Sequence, residues 1–181
     1  LHVRADMEDE PVARVANAFA SNVIISSRGP SGSLRREASD ADVPTITVEM
    51  GEAHRFQRPL IDQALDSVRS VLAEFGILDT EVVRWPGWRT VIENSDEKTW
   101  IRADAGGLVD MHHSGGELVY EDEVICTIGN PFKTENTTIR APFTGLLVGV
   151  LENPLLYPRN PLCHIVRLDD RTRRAAERSQ P

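Results

Sequence analysis

Thr45-Ile46-Thr47-Val48-Glu49 ends a β-branched run on a carboxylate, and Met50-Gly51 turns the chain directly after it. Entered from Pro44, this run predicts a strand. Ligands of open α/β sheets bind beyond the carboxyl ends of the strands, which would put Glu49 at a binding site. Apolar neighbours would raise its pKa toward that of a useful general base. The plainer alternative, a strand-end glutamate paired with a surface arginine, is the one composition alone favours. Metal chemistry has less support. The five histidines, His2, His54, His112, His113 and His164, form no His-x-x-Glu or His-x-x-x-His pair. His112 and His113, adjacent on an expected strand, would point to opposite faces and could not chelate together. Cys126 and Cys163 are too few for a disulfide framework or a cysteine-rich zinc site, and their apolar surroundings suggest buried core positions.

The elements that must hold these residues divide near residue 80. Asp9 with Pro11 signals a helix start, followed at helical spacing by Val12, Val15, Ala16 and Phe19. Val23-Ile24-Ile25 reads as a short buried strand. Ser27 to Ser33 is a loop by its glycines and proline, and Ser33 is placed to cap a short helix from Leu34. A long amphipathic helix carries Leu60, Ile61, Ala64, Leu65, Val68, Val71, Leu72 and Phe75 on one face, with Gly76 as its stop. Alternating helices and strands predict an α/β layered domain over residues 1–78. Residues 79–98, with Trp85-Pro86-Gly87-Trp88, form a connecting segment, and residues 99–168 are short strands broken by Gly and Pro turns.

Within 99–168, Ile101-Arg102-Ala103 and Gly107-Leu108 align with Ile139-Arg140-Ala141 and Gly145-Leu146 at a shift of 38. With Gly116 skipped, Leu118, Tyr120, Cys126 and Ile128 align with Leu155, Tyr157, Cys163 and Ile165. Nine identities in 27 positions predict two copies of one unit, each too small to bury its own apolar face, packed as a small β-barrel. Tyr120 and Tyr157 are then expected to be barrel packing. Residues 169–181, rich in Arg, Asp and Glu, are expected to be a solvated tail or fraying helix.

The chain has 181 residues and a formal net charge of −8, and only Lys98 and Lys133 are lysines. An acidic chain with scattered arginines is a poor match for nucleic acid, so no nucleic-acid partner is expected. No apolar run approaches the roughly 18 residues of a membrane span, so no membrane partner is expected either. Two cysteines and no secretory pattern at Leu1-His2-Val3-Arg4 suggest a reducing, cytoplasmic setting. The lack of an initiating Met suggests a chain entered partway through.

The segments Ser27-Arg28-Gly29-Pro30-Ser31-Gly32-Ser33-Leu34-Arg35-Arg36, Pro44 to Glu52 and Arg55-Phe56-Gln57 closely resemble the succinylglutamate desuccinylase/aspartoacylase-like deacylases. Val3-Arg4-Ala5-Asp6, Trp100-Ile101-Arg102-Ala103 and Arg140-Ala141-Pro142 to Gly145 carry the same resemblance through about residue 168. It implies a zinc hydrolase with a carboxypeptidase-like α/β domain and a β-rich C-terminal domain, acting on an N-acyl amino acid or similar small carboxylated amide. Glu49 stands at the family's general acid/base position. Arg35 resembles a basic position near the substrate pocket, where a guanidinium could hold a carboxylate. Its alternative is a helix-surface arginine paired with Glu37 or Asp40. The family's zinc ligands belong ahead of the Val-Arg-Ala-Asp stretch. The resemblance therefore implies zinc with its ligands upstream of residue 1, and an inactive fragment. Residues 1–78 are then expected to need a complementary chain or self-association, as in a homo-oligomer.

Lys133-Thr134-Glu135-Asn136 with Ile139-Arg140-Ala141-Pro142 resembles the swinging-arm segment of biotinyl and lipoyl carrier domains. Phe132 and Thr134 replace the methionines that flank the biotinyl lysine, and the spacing is one residue too long. A carrier module modified at Lys133 and a non-catalytic binding homologue are the alternatives to the deacylase. Lys133 is expected to be an exposed, unmodified loop residue.

Overall fold

Residues 1–52, 55–82, 88–93, 97–132 and 136–178 are described by a computed structural model. His54, Trp85-Pro86-Gly87 and Lys133 lie outside the described residues, and so do the expectations placed on them. The chain separates into two compact units, Leu1–Asn94 and Ser95–Pro181.

In the first unit, β1 (His2–Ala5), β2 (Val23–Ser26), β3 (Thr47–Glu49) and β4 (Thr90–Ile92) form one sheet in the order β3-β1-β2-β4. β1, β2 and β4 are mutually parallel, while β3 runs antiparallel to β1. Strand β4 lies inside the stretch expected to be a connecting segment. It is seated by the Thr90 amide, which donates to the Asn22 carbonyl, and by Asn22 Nδ2, which donates to the Trp88 carbonyl at 2.6 Å. Helices α1 (Glu10–Phe19) and α2 (Leu34–Asp40) start where their sequence signals place them, and α3 (Arg58–Glu74) is the long amphipathic helix. Asp9 accepts from the Val12 amide, Ser33 caps α2, and Pro59 stands in the first turn of α3.

The core of this unit joins Val3 and Ala5 of β1 to Val12, Ala16 and Phe19 of α1 and to Ile24, with Val48 and Val71 packed against them. Because strand side chains alternate, His2 and Arg4 take the opposite face from Val3 and Ala5. Helix α3 is turned differently from its apolar pattern. Ser67 and Ser70 are fully buried, whereas Leu65 and Val68 are about half exposed. Small side chains let α3 approach α1 closely, while Leu65 and Val68 stay outside that contact. Arg14 of α1 ties down the far end, pairing with Glu74 at 2.8 Å and lying over the Phe75 ring at 4.7 Å.

The second unit contains two four-stranded sheets. Its strands are β5 (Lys98–Arg102), β6 (Gly107–Met111), β7 (Leu118–Val119), β8 (Val124–Gly129), β9 (Asn136–Arg140), β10 (Gly145–Val150), β11 (Leu155–Leu156) and β12 (Pro161–Val166). One sheet has the order β5-β12-β10-β7 and the other β11-β6-β8-β9. Every pairing is antiparallel. Ile125, Cys126, Leu147, Leu162, Cys163 and Ile165, all almost fully buried, form the core. Among the described residues no ladder joins the two sheets into a closed barrel.

Tyr120 and Tyr157, expected as packing residues, are mostly exposed. They instead supply turn amides, Tyr120 N donating to Glu123 Oε2 and Tyr157 N to Asn160 Oδ1. The stretch expected to be a solvated tail forms α4 (Asp170–Glu177), capped by Asp169, with Ala176 fully buried and contacts to β7. Cys126 and Cys163 are buried free thiols, and burial pushes them up to about 11 and about 12. Since the thiolate is the nucleophile, neither should react with a thiol reagent at neutral pH until the fold is opened by denaturant. Colorimetric thiol titration with and without guanidinium checks this, and two fast-reacting thiols in the folded chain would contradict it.

Candidate active site

The antiparallel β1–β3 register places His2 opposite Glu49 and Arg4 opposite Thr47. Paired residues share a face, so His2, Arg4 and Glu49 stand together on the face of the sheet opposite the α1 core. Arg4 Nε donates to Glu49 Oε1. His2 Nε2 stands 3.2 Å from Glu49 Oε2, at ion-pair distance. The Glu49 side chain is 45% exposed and that of His2 only 12%, so the carboxylate opens to solvent and the imidazole does not.

Two expectations for Glu49 are corrected. Because β3 is antiparallel to β1, the carboxyl end of β3 meets the amino end of β1 rather than the carboxyl ends of the parallel strands. The strand-end rule therefore does not place Glu49, whose neighbours are met across the sheet face instead. Its pKa also moves the other way. Burial pulls the carboxyl upward, but the hydrogen bond from Arg4 and the charges on His2, Arg4 and Arg35 outweigh it, leaving the pKa below the ordinary carboxylate value.

Arg35 is buried on α2, and its Nη1 donates to the Ser27 carbonyl at 2.7 Å just past the end of β2. The partners it would have on a helix surface are engaged elsewhere. Asp40 pairs with Arg28 at 2.6 Å and with Arg36 at 3.7 Å, and Glu37 accepts from the Gly32 amide at 2.9 Å. Gly29 makes room for Arg35. Its φ is +87°, and a Cβ there would lie 3.0 Å from Arg35 Nη2. Burial, and then the charge on Arg4, lower the Arg35 pKa, while Asp6 and Glu49 act in the opposite sense. Two guanidinium groups close enough to perturb one another favour an anion between or beside them.

After β3, Gly51 has φ +62° and the Glu52 amide donates to Gln57 Oε1 at 3.0 Å, which fixes the turn leaving Glu49. The site therefore gathers Glu49 and Arg35, which the resemblance pointed to, with His2, which the sequence allowed to lie near the active site, and Arg4, for which no role was expected. Alternation along His2-Val3-Arg4-Ala5 was the available signal, but without knowing that β3 pairs with β1 it does not identify a partner.

Among the described residues no group of three His, Cys, Asp or Glu side chains is placed to hold a metal ion. In the second unit His113 Nδ1 stands 3.1 Å from Glu117 and Nε2 stands 3.7 Å from Glu123. One imidazole contacts the two carboxylates through opposite nitrogens, so the trio does not converge on a common point. No helix of the described residues is long and apolar enough to cross a membrane.

Residues 1–75 match the family model of the succinylglutamate desuccinylase/aspartoacylase catalytic domain. The chain is similar in structure to the ectoine utilization protein EutE (DoeB) of Ruegeria pomeroyi, with TM-score 0.79 and 16% identity over 92% of this chain and 55% of that one. It is also similar to a succinylglutamate desuccinylase from Silicibacter sp. TM1040, with TM-score 0.78 and 20% identity over 93% and 53%. A succinylglutamate desuccinylase/aspartoacylase from Rhodobacter sphaeroides gives TM-score 0.76 and 14% identity over 93% and 54%. The chain thus spans about half the length of these structures and shares the mixed α/β fold of the parts it covers. No curated protein matches it. Residues 1–75 are thus similar to the catalytic domain of the succinylglutamate desuccinylase/aspartoacylase family, and the chain shares the fold of the corresponding parts of these structures.

Proposed function

We propose that the full-length protein is a cytoplasmic, zinc-dependent hydrolase that cleaves the amide bond of an N-acyl amino acid or a similar small carboxylated amide. The observation that carries this reading is the solvent-open carboxylate of Glu49, held by Arg4 with His2 at its second oxygen and with the Arg35 guanidinium nearby. Glu49 takes a proton from the attacking water and delivers it to the departing amine nitrogen, so that amide and water become carboxylate and amine. Arg35, anchored through Ser27, presents charge to the substrate carboxylate. The zinc implied by the family finds no ligand set among the described residues. In this proposal it is held by residues outside the chain.

The finer architecture belongs to the same proposal: a carboxypeptidase-like domain followed by a two-repeat β-barrel. Corresponding ladders support it. Cys126 pairs with Ile139 and Cys163 with Ile101, while Leu146 pairs with Leu118 and Leu108 with Leu155.

Release of primary amine from N-acetyl and N-succinyl derivatives of acidic, neutral and basic amino acids, measured with the full-length protein and zinc, tests the activity. Turnover is expected for at least one carboxylated amide. If none is hydrolysed, and intact mass after expression with biotin and lipoate ligases shows a modified Lys133, the carrier alternative replaces it.

A further inference from the structure

The groups around Glu49 differ in how they respond to pH. Arg4, on β1, and Arg35, on α2, keep their charge across the range in which enzymes work. Asp6, just past β1, also acts on Arg35 through its charge. His2 alone among these side chains changes charge between about pH 5 and 8. It sits 3.2 Å from Glu49 Oε2 with its side chain 12% exposed, opposite Glu49 in the β1–β3 register. The oxygen it faces is the one not taken by Arg4.

We propose that His2 is a positioning residue that sets the basicity of Glu49: as imidazolium it holds Oε2 in an ion pair and keeps the carboxylate a weak base, and on losing its proton it releases that oxygen to accept one. This deepens the function proposed above and rests on Glu49 being the base. The pairing addresses a difficulty in the site, since a carboxylate flanked by cations on both oxygens is a poor proton acceptor. Arg4 cannot relieve it, because its charge is permanent, whereas His2 can. The Glu49 charge in turn favours the protonated imidazole, so the two groups titrate as a pair.

The test combines the pH dependence of kcat/KM for the full-length enzyme with an NMR titration of the His2 imidazole. Wild type is expected to gain activity through the imidazole range. His2→Gln, which keeps a neutral hydrogen-bonding group, should flatten that rise, so that the ratio of kcat/KM at pH 5.5 to that at pH 8 increases about ten-fold. His2→Ala should flatten it as well, but with a lower plateau, because nothing then orients Oε2. By NMR, the His2 midpoint should fall in Glu49→Gln. An unchanged acid limb in His2→Gln, or an unchanged His2 midpoint in Glu49→Gln, overturns the proposal. If Glu49→Gln is inactive while the His2→Gln limb matches wild type, only the role of His2 is lost. If Glu49→Gln turns over normally, the base assignment itself falls.

Discussion

Glu49→Gln in the full-length protein is expected to lower kcat/KM by about 10³-fold, in the middle of the range for losing a general acid/base. The substitution is nearly isosteric and the side chain is 45% exposed, so no cavity opens and no buried charge is created. It removes the capacity to take and return a proton and leaves an amide beside Arg4 and His2. Folding should be retained, because the hydrophobic contacts of β3 pass through Val48 rather than Glu49. Circular dichroism and zinc content should therefore match wild type while turnover collapses, with the loss in kcat rather than KM. Activity within a few-fold of wild type would remove Glu49 from the chemistry. A protein that loses zinc as well would point to a structural or ligating role instead.

Gly145→Ala is expected to destabilise the second unit by about 2 kcal/mol, a cost typical of overpacking. That corresponds to a fall of about 10 °C in its melting temperature for a unit of this size. A Cβ on Gly145 would lie 2.5 Å from the Val166 carbonyl oxygen and 3.1 Å from Ile165 Cγ1, in a core that has no slack. The obstacle is backbone, so no side-chain rotation relieves it, and β10 must move off β12. Gly107 faces the same kind of obstacle, 2.4 Å from the Gly129 carbonyl oxygen. Gly149→Ala, in the same strand as Gly145, is the control, since nothing lies within 4 Å of its added Cβ. Calorimetry should show a large drop for Gly145→Ala and Gly107→Ala and little change for Gly149→Ala. Equal effects at all three would show that glycine is needed there for some reason other than close approach.

Local structure followed from local sequence wherever a short-range interaction decided it. Asp9 and Ser33 cap α1 and α2 where their side chains reach the first free amides, and Val23-Ile24-Ile25 is buried on every side chain. The helical period was seen to end near residue 80, whereas the first unit runs on to Asn94 and takes in β4. Cys126 and Cys163 took the core positions that their apolar neighbours implied. The likeness to the deacylase family was legible in ordered motifs, which pointed to Glu49 and Arg35 as residues to consider.

Tertiary pairing decided the rest. The direction of β3 is not encoded within its own few residues. It depends on which strand β3 joins, and by joining β1 antiparallel it sets Glu49 against His2 and Arg4. That neighbourhood reversed the expected rise in the Glu49 pKa, because a carboxylate's pKa is set by charges and donors across space, not by the residues beside it in sequence. The same holds for α3, where the pattern identified an apolar stripe but contact with α1 buried Ser67 and Ser70 and left Leu65 and Val68 outside. Sequence by itself therefore determined most elements of the first unit and the caps of α1 and α2, since these depend on neighbours a few residues away. Only the fold decided what Glu49 is bonded to, because its two partners, 45 and 47 residues distant along the chain, meet it solely through the pairing of two strands.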